Sequence, residues 1–327
     1  MKLSRLKLLP IAAAALAFAS AGTAQAAAYA YSYDNIYGLT INTVSGTTTF
    51  VNSTVISRAT ATLNGASTIT GGSGVLDAPQ ATMGAVTKGQ NDFTPQGLGP
   101  AAYSRGDAQI VSTQVPPFPA GSTSTQAVNA AESYLPGSGT ADASGRNGST
   151  TGFSVNFVVG SPSATLAFNF SADPYMQVFL DALSGPGSSA TANLVVTYTI
   201  TNAAGAIVFN WTPDGVVGSG ITGGTESADG ANLNTNLATT DLIGAVNPYN
   251  PVGCGVPTGT GISTACGAAF AALTNPLAAG AYTLVLNAVE STDLVITQVP
   301  EPGTLALVGL GLAGLCVGSR RKSFRKN

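Results

Sequence analysis

Apolar and polar residues alternate with a period of two along much of the chain. Residues 194–201 (LVVTYTIT) alternate β-branched and aromatic side chains with polar ones. Asn202-Ala203-Ala204-Gly205 reads as a turn, and 206–211 (AIVFNW) returns, which predicts a β-hairpin. Strand-like runs recur at 153–159, 164–170, 282–289 and 293–297, with weaker ones at 40–57 and 109–115. Gly/Pro/Ser punctuation separates them, as at Pro116-Pro117, 184–188 and 218–224. Helical spacing is confined to two short candidates, 127–135 and 174–183. No fixed-period repeat argues for a solenoid or propeller. The pattern predicts an all-β, antiparallel β-sandwich of jelly-roll type over residues 27–297, read as one domain in which 116–125 is a long loop.

The two ends break this pattern. Lys2, Arg5 and Lys7 precede an apolar run at 8–19, and Ala24-Gln25-Ala26 follows with small residues at the spacing of a cleavage site. Residues 1–26 therefore read as a secretory signal helix, removed between Ala26 and Ala27. At the other end, 304–318 (TLALVGLGLAGLCVG) is apolar and is followed by Arg320-Arg321-Lys322. At about 1.5 Å per residue this run covers only part of a roughly 30 Å hydrocarbon core. It predicts a short transmembrane helix helped by snorkelling of Arg320 and Arg321. The basic cluster marks the cytoplasmic side, which leaves the body outside. Pro300 and Pro302 stop any helix from extending upstream.

Charge sharpens the division. Only 8% of the 327 residues are charged, yet 44% are hydrophobic, so the chain can bury a core. Three of the twelve basic residues lie in the first seven positions and five in the last eight; all fifteen acids lie between Asp34 and Glu301. The middle has no clustered Lys/Arg, which excludes a nucleic-acid footprint.

The order Val299-Pro300-Glu301-Pro302-Gly303, short Gly/Leu helix, Arg/Lys terminus resembles the PEP-CTERM sorting signal and covers about thirty residues (298–327). The resemblance implies recognition by exosortase, a membrane-embedded Cys-dependent transpeptidase of exopolysaccharide-producing Gram-negative bacteria. It implies that Pro300, Glu301 and Pro302 are read by that enzyme and have no catalytic part. It also implies a precursor held transiently in the inner membrane, and a product at the cell surface or outside. It leaves the activity of the body open.

Cys254 and Cys266 lie twelve positions apart in a Gly/Pro/Thr-rich stretch, while Cys316 falls in the apolar tail. In an oxidising compartment a Cys254–Cys266 disulfide is the favoured reading, worth about 3 kcal/mol by loop closure, over a reactive thiol or a thiolate metal pair. With no histidine in the chain and no further body cysteine, a structural zinc lacks ligands.

The absence of histidine also removes Ser-His-Asp and Cys-His catalysis, and no phosphate-binding or dinucleotide fingerprint occurs. Paired carboxylates need no histidine, so a glycosidase drawing on Glu132, Glu226, Glu290 or the eleven aspartates stays as an alternative, with no spacing that singles out a pair. No cofactor is expected. Calcium is weighed at 229–236 (DGANLNTN), which places oxygens two apart but lacks the central Gly and closing Glu of an EF-hand loop. Four N-x-[ST] triplets, at Asn52, Asn147, Asn169 and Asn210, read as products of composition.

Tyr29, Tyr31 and Tyr33, with Tyr37 nearby, share one strand face; core packing is favoured over stacking on sugar rings. Trp211, at a strand end, reads as packing. The expectation is thus an exported, non-enzymatic surface or matrix protein working within exopolysaccharide, as in biofilm or floc. A carbohydrate-binding or adhesive module is the alternative, and a carboxylate glycosidase ranks third.

Overall fold

A computed structural model of the chain describes residues 26–111, 125–148, 153–239, 243–259 and 264–297, and Leu310. Within 26–297 every described regular element is a strand. The first nine are β1 (Ala28–Ser45), β2 (Thr48–Thr54), β3 (Ile56–Leu63), β4 (Ala66–Ser73), β5 (Asp77–Gly84), β6 (Tyr103–Val111), β7 (Thr125–Leu135), β8 (Gly139–Gly148) and β9 (Phe153–Ala172). The rest are β10 (Tyr175–Leu180), β11 (Ser189–Asn202), β12 (Ile207–Trp211), β13 (Ile221–Thr222), β14 (Gly224–Asp229), β15 (Asn234–Thr239), β16 (Ile243–Tyr249), β17 (Ala268–Thr274) and β18 (Leu277–Ile296). The expected all-β, antiparallel body is therefore observed. The signal helix, the cleavage site around Ala24 and the sorting tail fall outside the described residues, except Ala26, Ala27 and Leu310. Among those described, no helix is long and apolar enough to cross a membrane.

The strands form two antiparallel sheets that face each other. In the first, the order β5–β6–β7–β1 continues with β10 beside residues 28–33 of β1 and β9 beside residues 36–45. β16 lies beyond β10, and β17 and β14 lie beyond β9. In the second, β18 is central. β8 and β9 lie end to end along one side of it, and β11 runs along the other. β3–β4 and β2 extend the first flank, and β15 and β12–β13 the second. β9 belongs to both sheets and bends from one to the other, so the ladder of pairings closes in a barrel-like way.

Long strands absorb several of the predicted runs. The runs at 153–159 and 164–170 form the single strand β9, and those at 282–289 and 293–297 fall together on β18. The predicted hairpin is observed: Tyr198 pairs with Trp211, Asn202 Oδ1 accepts the Ala206 N–H at 3.0 Å, and Gly205 supplies the positive φ of the turn.

Both helical candidates are strands. Residues 127–135 lie in β7 between β1 and β6, and 174–183 supply β10. The reason is burial on both faces. Val128, Ala130 and Tyr134 pack in one apolar cluster, and Ala127 and Leu135 in another. A strand covered on both sides shows no clean apolar/polar alternation, so its period is hidden.

The space between the sheets has two textures. Around β9, β11, β12 and β17 it is aromatic: Phe170 stacks on Phe270 at 4.7 Å, Phe168 on Phe209 at 5.1 Å, and Tyr198 lies 5.4 Å from Trp211. Around β3, β6 and β8 it is thin and built from Ala59, Ala61, Ala141 and Ala143. There a Cβ on Gly106 would meet the Ser144 carbonyl oxygen at 2.2 Å and that of Thr60 at 2.6 Å, so the close approach demands glycine.

Candidate functional site

The tyrosine row faces outward from the first sheet, as its spacing requires, and is buried there. Residues 85–102 cross over it. Tyr29, Tyr31 and Tyr33 pack with Phe93, Tyr103, Tyr134 and Tyr175, and Tyr31 Oη donates to the Phe93 carbonyl at 2.6 Å. The cover is clipped by an ion pair. Arg105 Nε donates to Glu132 Oε2 at 2.7 Å, and both residues are almost fully buried. Arg105 Nη1 and Nη2 donate to the carbonyls of Asp92 (2.7 Å) and Thr94 (2.9 Å). Glu132 Oε1 accepts from Tyr29 Oη (2.9 Å) and from Gly97 N–H (2.9 Å), and Tyr103 Oη stands 2.8 Å away. Under the same cover Asp107 accepts the Asn91 N–H at 2.7 Å; burial nonetheless pushes its carboxyl up to about 6. The row offers no platform for a sugar ring.

Cys254 and Cys266 are joined in a disulfide. The segment it closes touches the cover: Gly259 N–H donates to Thr94 Oγ1 at 2.7 Å. In the 229–236 stretch the oxygens act as turn acceptors. Asp229 Oδ2 accepts the N–H groups of Asp214 (2.9 Å) and Gly215 (2.8 Å), Asn232 Oδ1 that of Asn234 (2.8 Å), and Asn234 Oδ1 that of Val196 (3.2 Å). Trp211 packs in the aromatic core, and its Nε1 donates to Glu226, which also accepts the Gly218 N–H at 2.7 Å. Glu132, Glu226 and Glu290 occupy three separate surroundings, and none is exposed. Among the described residues no three Cys, Asp or Glu side chains gather as a metal-ligand group.

A second polar group lies between the sheets, and sequence reasoning did not single it out. On β1, Ala28, Ala30, Ser32, Asp34 and Ile36 point inward, opposite to the tyrosines. Asp34 pairs with Asn129 of β7, which puts their side chains on one face, and Asn129 Nδ2 reaches the Ala288 carbonyl of the facing sheet at 3.4 Å. Glu290 and Tyr198 point in from β18 and β11. Burial pushes the Asp34 carboxyl up to about 8, and Asp173 adds to this. Burial and then Asp34 push Glu290 up, tempered by the adjoining Asn129 amide. Ser133 and Thr292 share a 2.9 Å hydrogen bond in the same seam.

Among the described residues nothing covers the outward face of the second sheet. β2, β9, β11, β12 and β15 contain no charged residue, and on β18 Glu290 points inward; the described charges of this face, Asp293 near one end of β18, Asp142 of β8 and Arg58 of β3, gather on the β3–β8 flank. Hydroxyls and amides stand opposite one another across the strands. Asn156 Nδ2 donates to Asn52 Oδ1 (2.7 Å) and Thr283 Oγ1 to Asn156 Oδ1 (2.8 Å), so one row crosses β2, β9 and β18. Asn193 Nδ2 donates to Ser291 Oγ (3.3 Å) and Thr199 Oγ1 to Asn210 Oδ1 (3.0 Å). A shallow groove beside β15 adds Asn234 and Asn236.

Val299, Pro300, Glu301, Pro302 and the cluster Arg320, Arg321, Lys322 lie outside the described residues. Residues 298–322 match the family model described as the PEP-CTERM protein-sorting motif. The expected sorting signal is therefore present, and it marks an exported protein that exosortase sorts to the cell surface. No curated protein and no solved structure matches the chain.

Proposed function

We propose that this exported, exosortase-sorted chain is a non-enzymatic component of an exopolysaccharide matrix, as in biofilm or floc. In this reading its jelly-roll-like sandwich lies against the polymer through the bare face of the second sheet. The observation that carries the reading is the part of that face formed by β2, β9, β11, β12 and the adjoining half of β18. It is broad, regular, without charge and lined with hydroxyl and amide groups among scattered valines, the charges Arg58, Asp142 and Asp293 lying on the flank toward β3 and β8. Such groups exchange hydrogen bonds with sugar hydroxyls, and many weak contacts along a chain add up by avidity. The buried tyrosine row favours this distributed contact over a single stacking site, which places a dedicated carbohydrate-binding module second. The burial of Glu132, Glu226 and Glu290 in three separate surroundings and the lack of histidine support a non-enzymatic role. Calcium at 229–236 would have to displace backbone N–H groups from Asp229 Oδ2, Asn232 Oδ1 and Asn234 Oδ1, which leaves Asp229 Oδ1 as its one unpartnered carboxylate oxygen.

The test is retention of the full exported protein on the producing cell's own purified polysaccharide. Asn156→Asp combined with Thr283→Glu puts charge in the middle of the face and should reduce retention at least tenfold without unfolding the protein. Equal retention by the variant would overturn the reading of the face. In parallel, replacing Pro300, Glu301 and Pro302 with alanine should abolish processing and surface display.

A further inference from the structure

The seam between the sheets is independent of the surface face and presents an imbalance of its own. Six oxygen atoms make no well-formed hydrogen bond in the protein: Oδ1 and Oδ2 of Asp34, Oε1 and Oε2 of Glu290, Asn129 Oδ1 and Tyr198 Oη; the Asn129 amide and the backbone N–H groups of Asn35 and Glu290 are donors that stand near the carboxyls. None of these four residues is more than 2% exposed. Asp34 acts electrostatically on both Glu290 and Tyr198, and the Asn129 amide adjoins Glu290, so the four form one group. Five of the six atoms can only accept when the carboxyls are ionised; the Tyr198 hydroxyl alone has a proton to give. No described basic side chain neutralises the pair. Arg58 is exposed, Lys88 pairs with Asp92, and Arg105 pairs with Glu132 on the opposite face of the first sheet. Two carboxylates taken out of water without well-formed hydrogen bonds and without a counter-charge are strongly unfavourable.

We infer that Asp34, Glu290 and Asn129, with Tyr198 beside them, form an interior site for one calcium ion that is taken up as the two sheets close. The charge fits, since two carboxylates balance one divalent cation. The donors fit as well, because calcium takes six to eight oxygens from carboxylates and amide carbonyls in a flexible shell. Four different strands (β1, β7, β11 and β18) supply these groups, so the ion would tie the sheets together at mid-strand. The site differs in place and residues from the 229–236 stretch.

The test uses the full exported protein purified in calcium buffer. Element analysis after a brief chelator wash should find one calcium per chain, released only on unfolding. Protein refolded in 1 mM calcium should melt roughly 5–10 °C above protein refolded in chelator. Glu290→Gln and Asp34→Asn should each abolish that difference, and Asp229→Asn should leave it intact. Should those variants fail to fold, Asp229→Asn protein refolded in terbium should show luminescence excited through its tyrosines, and refolding in excess calcium should suppress it; absence of that luminescence overturns the inference. No stoichiometric calcium, or melting that ignores the refolding medium, overturns the inference. So does loss of calcium in Asp229→Asn with retention in Glu290→Gln.

Discussion

The chain buries Glu132 and Glu290 to the same depth, both at 0% exposure, in opposite surroundings. Glu132 has a guanidinium, a tyrosine hydroxyl and a backbone N–H as donors, and it holds a covering loop in place. Glu290 has only the Asn129 amide and a backbone N–H nearby, neither in a well-formed hydrogen bond to it, and its neighbour Asp34 carries the same sign of charge. Burial depth therefore does not say what a carboxylate does in this fold; the donors around it do. The first is a fastener complete within the protein. The second is an unmatched set of acceptors, which is why it points to a bound cation.

One chemical change made at both positions tests this contrast most severely. Glu132→Gln leaves the Arg105 charge buried without its partner and should lower stability by about 3–5 kcal/mol. Without a cation, burial and Asp34 favour the protonated Glu290 carboxyl, so Glu290→Gln measured in chelator exchanges one neutral group for another and should change stability by less than about 1 kcal/mol. Urea unfolding of the two variants side by side gives the answer, and similar losses would erase the distinction. Next in size, replacing Cys254 and Cys266 together by serine should cost about 3 kcal/mol by loop closure. It should also speed protease cleavage within 85–102, because the stapled segment touches that cover through Gly259 and Thr94.

The smallest effect is on pH dependence. Burial raises Asp107 to about 6 in the folded state, above its unfolded value near 4, so folding favours the protonated form. Its stabilising share is fully present below about pH 4 and is lost as pH rises through about 6, a change on the order of 2–3 kcal/mol. Asp107→Asn should flatten that part of the stability–pH curve; an unchanged slope would show that the cover admits water to Asp107.

The strands that were legible from the sequence are those with one wet face. Residues 194–201 alternate because Leu194, Val196, Tyr198 and Ile200 point inward while Thr197 and Thr199 do not. β7 and β10 were hidden because both of their faces are covered. The tyrosine spacing fixed a shared face but not what lies over it, since the cover comes from residues 85–102, which have no periodicity. Glu132 left one faint trace, a charge inside an otherwise uncharged run, and its pairing with Arg105 depends on β6 lying beside β7. Asp34 and Glu290 are 256 positions apart, and only the closing of the two sheets makes them neighbours. The sorting tail was legible in full because exosortase reads it as a linear string.

β18 is the last strand before that tail. It is flanked on both sides, by β11 along one and by β8 and β9 along the other, and Thr297 just beyond it is tied to Gly185 by a 2.8 Å backbone hydrogen bond. Tension applied to the chain beyond Thr297 therefore runs parallel to β18 and loads both ladders in shear. Rows of hydrogen bonds must then fail together, whereas an edge strand would unzip one bond at a time. Load entering from the sorting tail would thus meet the body at a strand flanked on both sides.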